Sequence, residues 1–302
     1  MNKVLITGGN GFLGKFISRE FLAQGWQVYS IDKFGGETLA GVESLNMEIP
    51  SPGLAAFFDK TQPNLIIHAA GTASVADSML NPLDDFDKNA RPTTEILDAQ
   101  RKYCPTSKII YISSAAVYGN PSHLPIKESD PRLPISPYGY HKLIGELLIE
   151  EYQRIYNLAG CCVRLFSAYG PGLRRQILWD VCQKATHLSE VRLMGSGEES
   201  RDMIHARDVA KSLILLADKA SFQGEVYNLA SGNQVRVKTI AKGLLAILNP
   251  TAPLIFSGER RAGDPLYWQA DISTITKFGF QVTMDIQSGL REYAEWFKQN
   301  AS

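Results

Sequence analysis

The strongest constraint on the fold of this chain is residues 4–17, VLITGGNGFLGKFI. A run of β-branched and apolar residues enters a cluster of glycines and leaves as a segment with apolar residues at helical spacing. Gly8, Gly11 and Gly14 lie three apart, and Gly9, Gly11 and Gly14 also satisfy G-x-G-x-x-G. Between a strand and a helix, such glycines allow a tight turn and let a pyrophosphate approach the backbone. The helix N-terminus then faces the negative charge. Phe12 and Leu13 fall in the first helical turn, against the same site.

Asp32 closes the next strand, VYSID, about twenty residues after the loop, where a dinucleotide fingerprint places an acid. A carboxylate there accepts hydrogen bonds from the adenosine ribose and repels a 2′-phosphate, so NAD is expected over NADP. The neighbouring Lys33 pulls the other way. Glu48 and Ile49, at the end of a possible third strand, are expected beside the adenine.

The first two-thirds of the chain repeats this alternation. KVLIT, QVYSI, NLIIHAA, KIIYISS and CCVRLF are continuous apolar runs, suited to a parallel sheet covered on both faces. Helices are expected at Phe12–Gln24, Asp84–Tyr103 and Pro137–Tyr156, with a last one at Gln287–Gln299. The fold class expected is α/β: a doubly wound parallel Rossmann sheet with a smaller C-terminal α/β region. The dinucleotide-binding part is expected at 1–167, with return segments around 203–232, and residues 168–302 mainly bind substrate. The 302 residues carry 31 basic and 31 acidic side chains, so net charge gives no case for nucleic acid or an anionic membrane. No bilayer-spanning run or targeting segment is read. Four cysteines without C-x-x-C spacing point to a reducing cytoplasm. Five histidines without a cluster at ligand spacing predict no metal.

In SPYGYHKLIGE, residues 136–146, Tyr138 and Lys142 are four apart on a helix starting near Pro137 and share one face. Tyr140 points elsewhere. An ammonium beside a phenol is expected to lower its pKa from ~10 toward working pH, making it able to exchange a proton during hydride transfer. Ser113 and Ser114 stand at the C-terminal end of a strand, where open α/β sheets bind ligands.

Together, TGGNGFLG, HAAG (68–71), SSAAVYG (113–119), SPYGYHK, RLFSAYGPG (164–172) and RDMIHARDVA (201–210) resemble the extended short-chain dehydrogenases/reductases. The nearest group in pattern is the NAD-dependent nucleotide-sugar epimerases and dehydratases, of the UDP-galactose 4-epimerase kind. The resemblance implies that Tyr138 is the acid/base, that Lys142 tunes it and holds the nicotinamide ribose, and that Ser114 is the catalytic hydroxyl. His141 is expected on the helix surface and His68 as a packed strand-end residue. The resemblance further places Ala69, Ala70, Gly71 and Asn89 at the cofactor. Ser74, Ser167, Arg174, Arg201, Arg261 and Asp264 are placed at a nucleotide-diphosphate sugar, a UDP-sugar being favoured, with Arg175 in reserve. Arginine forks match phosphate oxygens. The family often has Asn where this chain has Ser167.

Dehydratases of the group resemble one another in carrying Asp-Glu after the catalytic Ser/Thr; here those positions are Ala115 and Ala116. The reaction expected is therefore NAD-dependent epimerisation, at C4 through a 4-keto sugar. The alternatives are an NAD(P)H-dependent 4-keto-sugar reductase and a non-catalytic dinucleotide-binding regulator. A homodimer is implied through the helices around 85–103 and 140–157.

Overall fold

The computed structural model describes residues 1–33, 39–259 and 262–300. The chain opens with β1 (Lys3–Thr7), α1 (Phe12–Ala23), β2 (Gln27–Asp32), β3 (Val42–Asn46), α2 (Gly53–Thr61) and β4 (Leu65–His68). Then come α3 (Val75–Leu80), α4 (Pro82–Tyr103), β5 (Lys108–Ser114), a 3₁₀ turn at Ala115–Tyr118, α5 (Pro137–Tyr156) and β6 (Ala159–Leu165). The remainder comprises β7 (Ser167–Tyr169), α6 (Gln176–His187), β8 (Val191–Leu193), β9 (Ser200–His205), α7 (Ala206–Lys219) and β10 (Gln223–Leu229). It ends with β11 (Gln234–Arg236), α8 (Val237–Leu248), β12 (Leu254–Phe256), α9 (Ser273–Thr276) and α10 (Ile286–Asn300).

Seven strands form one parallel sheet in the order β10-β6-β5-β4-β1-β2-β3. The order runs outward in opposite directions from β1 and β4, so the crevice at their C-terminal ends is the topological switch point. Alternation along each strand divides the core. Val4, Ile6, Ile67, Ile110 and Cys161 pack with α1 and α7, whereas Leu5, Ile66, Ile109, Tyr111 and Cys162 pack with α2, α4 and α5. Continuous apolar strands are what two covered faces require. The C-terminal elements build a three-stranded sheet, β11-β9-β7, and a pair, β12-β8. Their own core joins Leu178 and Val181 of α6, Ile240 and Leu244 of α8, and Leu290, Tyr293 and Phe297 of α10.

Helix α5 begins where its sequence dictates. Ser136 caps it by accepting from the Gly139 N–H at 3.2 Å, Pro137 fills the first turn, and Asn157 ends it in the left-handed region. It lies unusually close to the sheet. A Cβ on Gly145 would stand 2.3 Å from the Tyr111 hydroxyl, and one on Gly139 2.6 Å from the Ala116 carbonyl. Next to Gly145, Glu146 takes a two-pronged hydrogen bond from Arg164 of β6 (2.9 and 2.8 Å) and another from the Ser113 hydroxyl at 2.6 Å. Arg164 also donates to the Tyr118 hydroxyl at 2.7 Å.

The Glu146 and Arg164 side chains are 2% and 3% exposed, so removing one partner strands a buried charge. Glu146→Ala is expected to cost roughly 3–5 kcal/mol in urea unfolding. A loss below about 1 kcal/mol, the range of exposed pairs, would contradict this role for the pair.

Candidate active site

A cleft of about 1130 Å³ opens at the switch point, between the C-terminal ends of the strands and the C-terminal region. The glycine loop forms one wall. Gly8 has φ +75°, and a Cβ there would sit 2.9 Å from the backbone of Ala70; a Cβ on Gly14 would sit 2.2 Å from the Gly8 carbonyl. Side chains are thus excluded from both sides of the turn. Helix α1 starts at Gly11 with no side-chain cap, which leaves its first N–H groups facing the cleft beside Phe12 and Leu13. Asp32 is buried at the end of β2, and its Oδ2 accepts from the Asn10 N–H at 3.0 Å. Lys33 donates to Glu48 at 3.2 Å, which sets an acid against the cation beside Asp32. Glu48, Ile49, Ala69, Ala70 and Gly71 all line the cleft.

Asn89, expected at the cofactor, is not among the residues lining the cleft. It is buried behind the loop after β4, its Nδ2 donating to the Thr72 hydroxyl at 2.8 Å and to the Asp85 carbonyl at 3.1 Å. A Cβ on Gly71 would meet the Asn89 Oδ1 at 2.6 Å, so Asn89 braces the loop from the side away from the cleft.

Ser114, Tyr138 and Lys142 meet in the cleft. The Ser114 Oγ accepts from the Ala116 N–H at 3.1 Å and shares a hydrogen bond with the Tyr138 hydroxyl. Lys142 donates to the Ile112 carbonyl at 3.0 Å, with its ammonium 5.1 Å from the Tyr111 ring centre and 6.0 Å from that of Tyr138. Burial brings the Lys142 pKa down to about 8; the Asp85 carboxylate acts upward and Arg175 downward. The expected lowering of the Tyr138 pKa is reversed in the protein alone. Burial raises it, Asp85 adds to the rise, and the hydrogen bond to Ser114 and the charge of Arg175 work against it. Ser113 is tied to Glu146 instead, and Tyr140 is 55% exposed. His68 bonds to Thr7 (2.7 Å) and Thr93 (3.1 Å), and burial, followed by the Lys142 charge, lowers its pKa to about 3.

His141 is not a surface residue. Its side chain is 12% exposed and its Nδ1 lies 2.6 Å from the Asp85 carboxylate. Nothing in the local sequence signals this pairing, because the partners belong to different helices.

Of the expected substrate residues, Ser74, Ser167, Arg201 and Asp264 line the cleft, and so does the reserve Arg175. Ser74 also caps α3 by accepting from the Asp77 N–H at 3.2 Å. Arg201 donates to the Ser200 carbonyl at 2.9 Å and lies 5.8 Å from the Trp268 ring centre. Its pKa is lowered by burial, against the charges of Asp264 and Glu199. Arg174 is turned away: its guanidinium lies 5.5 Å from the Trp179 ring centre and 5.6 Å from that of Trp296, and donates to the Asn300 carbonyl at 2.8 Å. Arg261 falls outside the described residues. Sequence reasoning missed Trp268, which lines the cleft, packs edge-on against Phe166 and donates its indole N–H to the Gly119 carbonyl.

The fold and cleft define a dinucleotide-binding protein of the doubly wound α/β class, with a Ser–Tyr–Lys group at the switch point. The donor set fits a dinucleotide: an uncapped helix start for the pyrophosphate, a buried carboxylate for one ribose and a buried ammonium for the other. The chain belongs to the NAD dependent epimerase/dehydratase family, whose sequence pattern matches residues 4–230, and NAD is its cofactor. A putative UDP-glucose 4-epimerase of Methanocaldococcus jannaschii is 27% identical over 98% of this chain and 99% of its own length. The UDP-glucose 4-epimerase of Thermotoga maritima, solved with UDP-glucose, superposes with a TM-score of 0.91 at 25% identity, covering 99% of this chain and 100% of its own. MoeE5, solved with UDP-glucose and NAD, gives 0.89 at 26% identity, with both chains fully covered.

The folded-state Lys142 titrates near 8 against ~10.4 for an unfolded lysine. Below pH 8 folding buries its charge, so this group's contribution to stability rises as pH climbs from 8 to ~10.4. Lys142→Met is expected to stabilise the cofactor-free protein by about 1–3 kcal/mol at pH 7, with the gain fading above pH 8. Chemical unfolding at several pH values checks this. No gain at pH 7 would mean the buried amine carries no penalty.

Proposed function

We propose that this NAD-dependent enzyme epimerises a nucleotide-diphosphate sugar at C4, with a UDP-sugar as substrate. The observation that carries the reading is the buried Ser114–Tyr138–Lys142 group, opening into the same cleft as Asp32 and Arg201. Bound NAD supplies a reversible acceptor for the hydrogen at C4. Tyr138 takes the C4 hydroxyl proton, Ser114 hydrogen-bonds the reacting oxygen, and Tyr138 returns the proton when the other face of the ketone has been presented. Lys142 holds the nicotinamide ribose, and its charge, with that of Arg175, favours the phenolate once substrate and cofactor exclude water. The diphosphate is held by Arg201, with Arg175 facing the cleft in the place foreseen for Arg174, and with Asp264 on the nucleoside ribose. Residues 1–167 with the return around 203–232 serve the cofactor, and 168–302 mainly the sugar nucleotide.

Ala115 and Ala116 sit buried beside Ser114 and carry no acid, which opposes dehydration. Reduction of a 4-keto sugar uses the same three residues but consumes its cofactor. The Asp32 carboxylate and the Lys33–Glu48 pair favour retained NAD over NADPH. We further propose a cytoplasmic homodimer. All four cysteines are free and buried, and α4 and α5 expose Leu83, Phe86, Leu147 and Ile155.

Tyr138→Phe is expected to lower kcat for interconversion of UDP-sugars by roughly 10²–10⁴-fold while leaving bound NAD in place. The check is NMR of sugar interconversion without added cofactor, together with identification of the nucleotide released on denaturation. An empty site, or NADP(H), in the wild type would turn the reading toward the reductase. Sedimentation at micromolar concentration is expected to give a dimer, and a monomer there would end that assignment.

A further inference from the structure

We propose that Asp85 and His141 form a positioning pair that sets the pH range in which Tyr138 and Lys142 work. The inference rests on the proton-transfer roles given to Tyr138 and Lys142 above. Asp85 is in the first turn of α4, where a carboxylate is favoured by the helix N-terminus, yet it is only 3% exposed. Both of its oxygens are engaged. Oδ2 is 2.6 Å from His141 Nδ1, and Oδ1 accepts from the Thr72 hydroxyl at 2.7 Å. Asn89 Nδ2 holds that arrangement by donating to Thr72 Oγ1 and to the Asp85 carbonyl. The His141 ring also packs edge-on against Phe86, at 5.5 Å between ring centres.

This places a rigid, desolvated negative charge directly behind the cleft. Thr72 is a cleft residue, whereas Asp85 and His141 do not line the cleft, so the pair acts through its field and through α5. His141 lies between Tyr138 and Lys142 in sequence, on the same helix. From α5, His141 meets Asp85 directly, and the Asp85 charge acts on Lys142 and Tyr138. On its own helix, Lys88 lines the cleft, is paired with Asp84 at 2.6 Å and is also acted on by the Asp85 charge. Asp77 of α3 lies on the cleft wall, and Asp59 and Lys60 of α2 are exposed to solvent. His68 of β4 is buried and neutral. Across the cleft, Arg175 acts on Tyr138 and Lys142 in the sense opposite to Asp85. The buried lysine tends to shed its proton, and Asp85 is the counter-charge that retains it. The same carboxylate holds the proton on Tyr138 more tightly.

The test is the pH profile of kcat together with an unfolding series on the cofactor-free protein. In Asp85→Asn, both limbs of the profile are expected to move acid-ward together, by roughly half to one pH unit. On the cofactor-free protein, the stabilising effect of Lys142→Met is expected to fade from a lower pH in the Asp85→Asn background than in the wild type. Limbs that stay in place, whether or not kcat falls, together with an unchanged fading point, would overturn the proposal. If the wild type interconverts no sugar at all, the epimerase reading fails, and the unfolding series still decides whether Asp85 acts on Lys142. Should Asp85→Asn not fold, His141→Phe carries the test. It removes the hydrogen-bond partner that α5 gives to Asp85, so both limbs are expected to move together from their wild-type positions; unmoved limbs would sink the idea.

Discussion

The site depends on how closely α5 approaches the central sheet. Gly139 and Gly145 remove the side chains that would hold the helix away from Ala116 and Tyr111. Glu146 then reaches Arg164 and Ser113 and ties the helix to β6 and β5. Moving the helix out by the width of a methyl group would separate the Tyr138 hydroxyl from Ser114 and the Lys142 ammonium from the Ile112 carbonyl. The buried ion pair is best understood as fixing register: its Coulombic gain is largely offset by desolvation, but breaking it is expensive.

Burial has opposite consequences for the two titratable residues this contact brings together. It raises the phenol of Tyr138 and lowers the ammonium of Lys142, which moves both toward their neutral forms while leaving Lys142 charged below a pH of about 8. Arg175, from the start of the C-terminal region, and Asp85, from α4, act on both groups with opposite signs. Two other parts of the chain thus place charges that act on the pair in addition to burial.

Several residues show how local signals and tertiary placement divide. The helix over Pro137–Tyr156 is marked by its Ser cap, its proline and the i, i+4 spacing of Tyr138 and Lys142, all of them local. The family resemblance singles out Ser114 over Ser113 from sequence, and only the structure shows Ser113 tied to Glu146. Arg174 and Arg175 are adjacent in sequence and chemically alike. One lies over Trp179 and Trp296 and the other faces the cleft, a choice made by the aromatic rings of α6 and α10. Asn89 likewise carries no mark that its amide meets Thr72 and Asp85.

From the sequence alone, the glycine loop, the apolar strands and the acid after β2 determined a doubly wound dinucleotide-binding fold. The reason is that these signals are local: backbone conformation, side-chain periodicity and the spacing along one strand–turn–helix unit. Tertiary structure alone decided which charges surround Tyr138 and Lys142. His141 and Asp85 meet only because α4 and α5 pack side by side, and Arg175 shares the cleft with Tyr138 only because the C-terminal region borders it. Electrostatic effects depend on distance and burial in space, and neither can be read from separation along the chain.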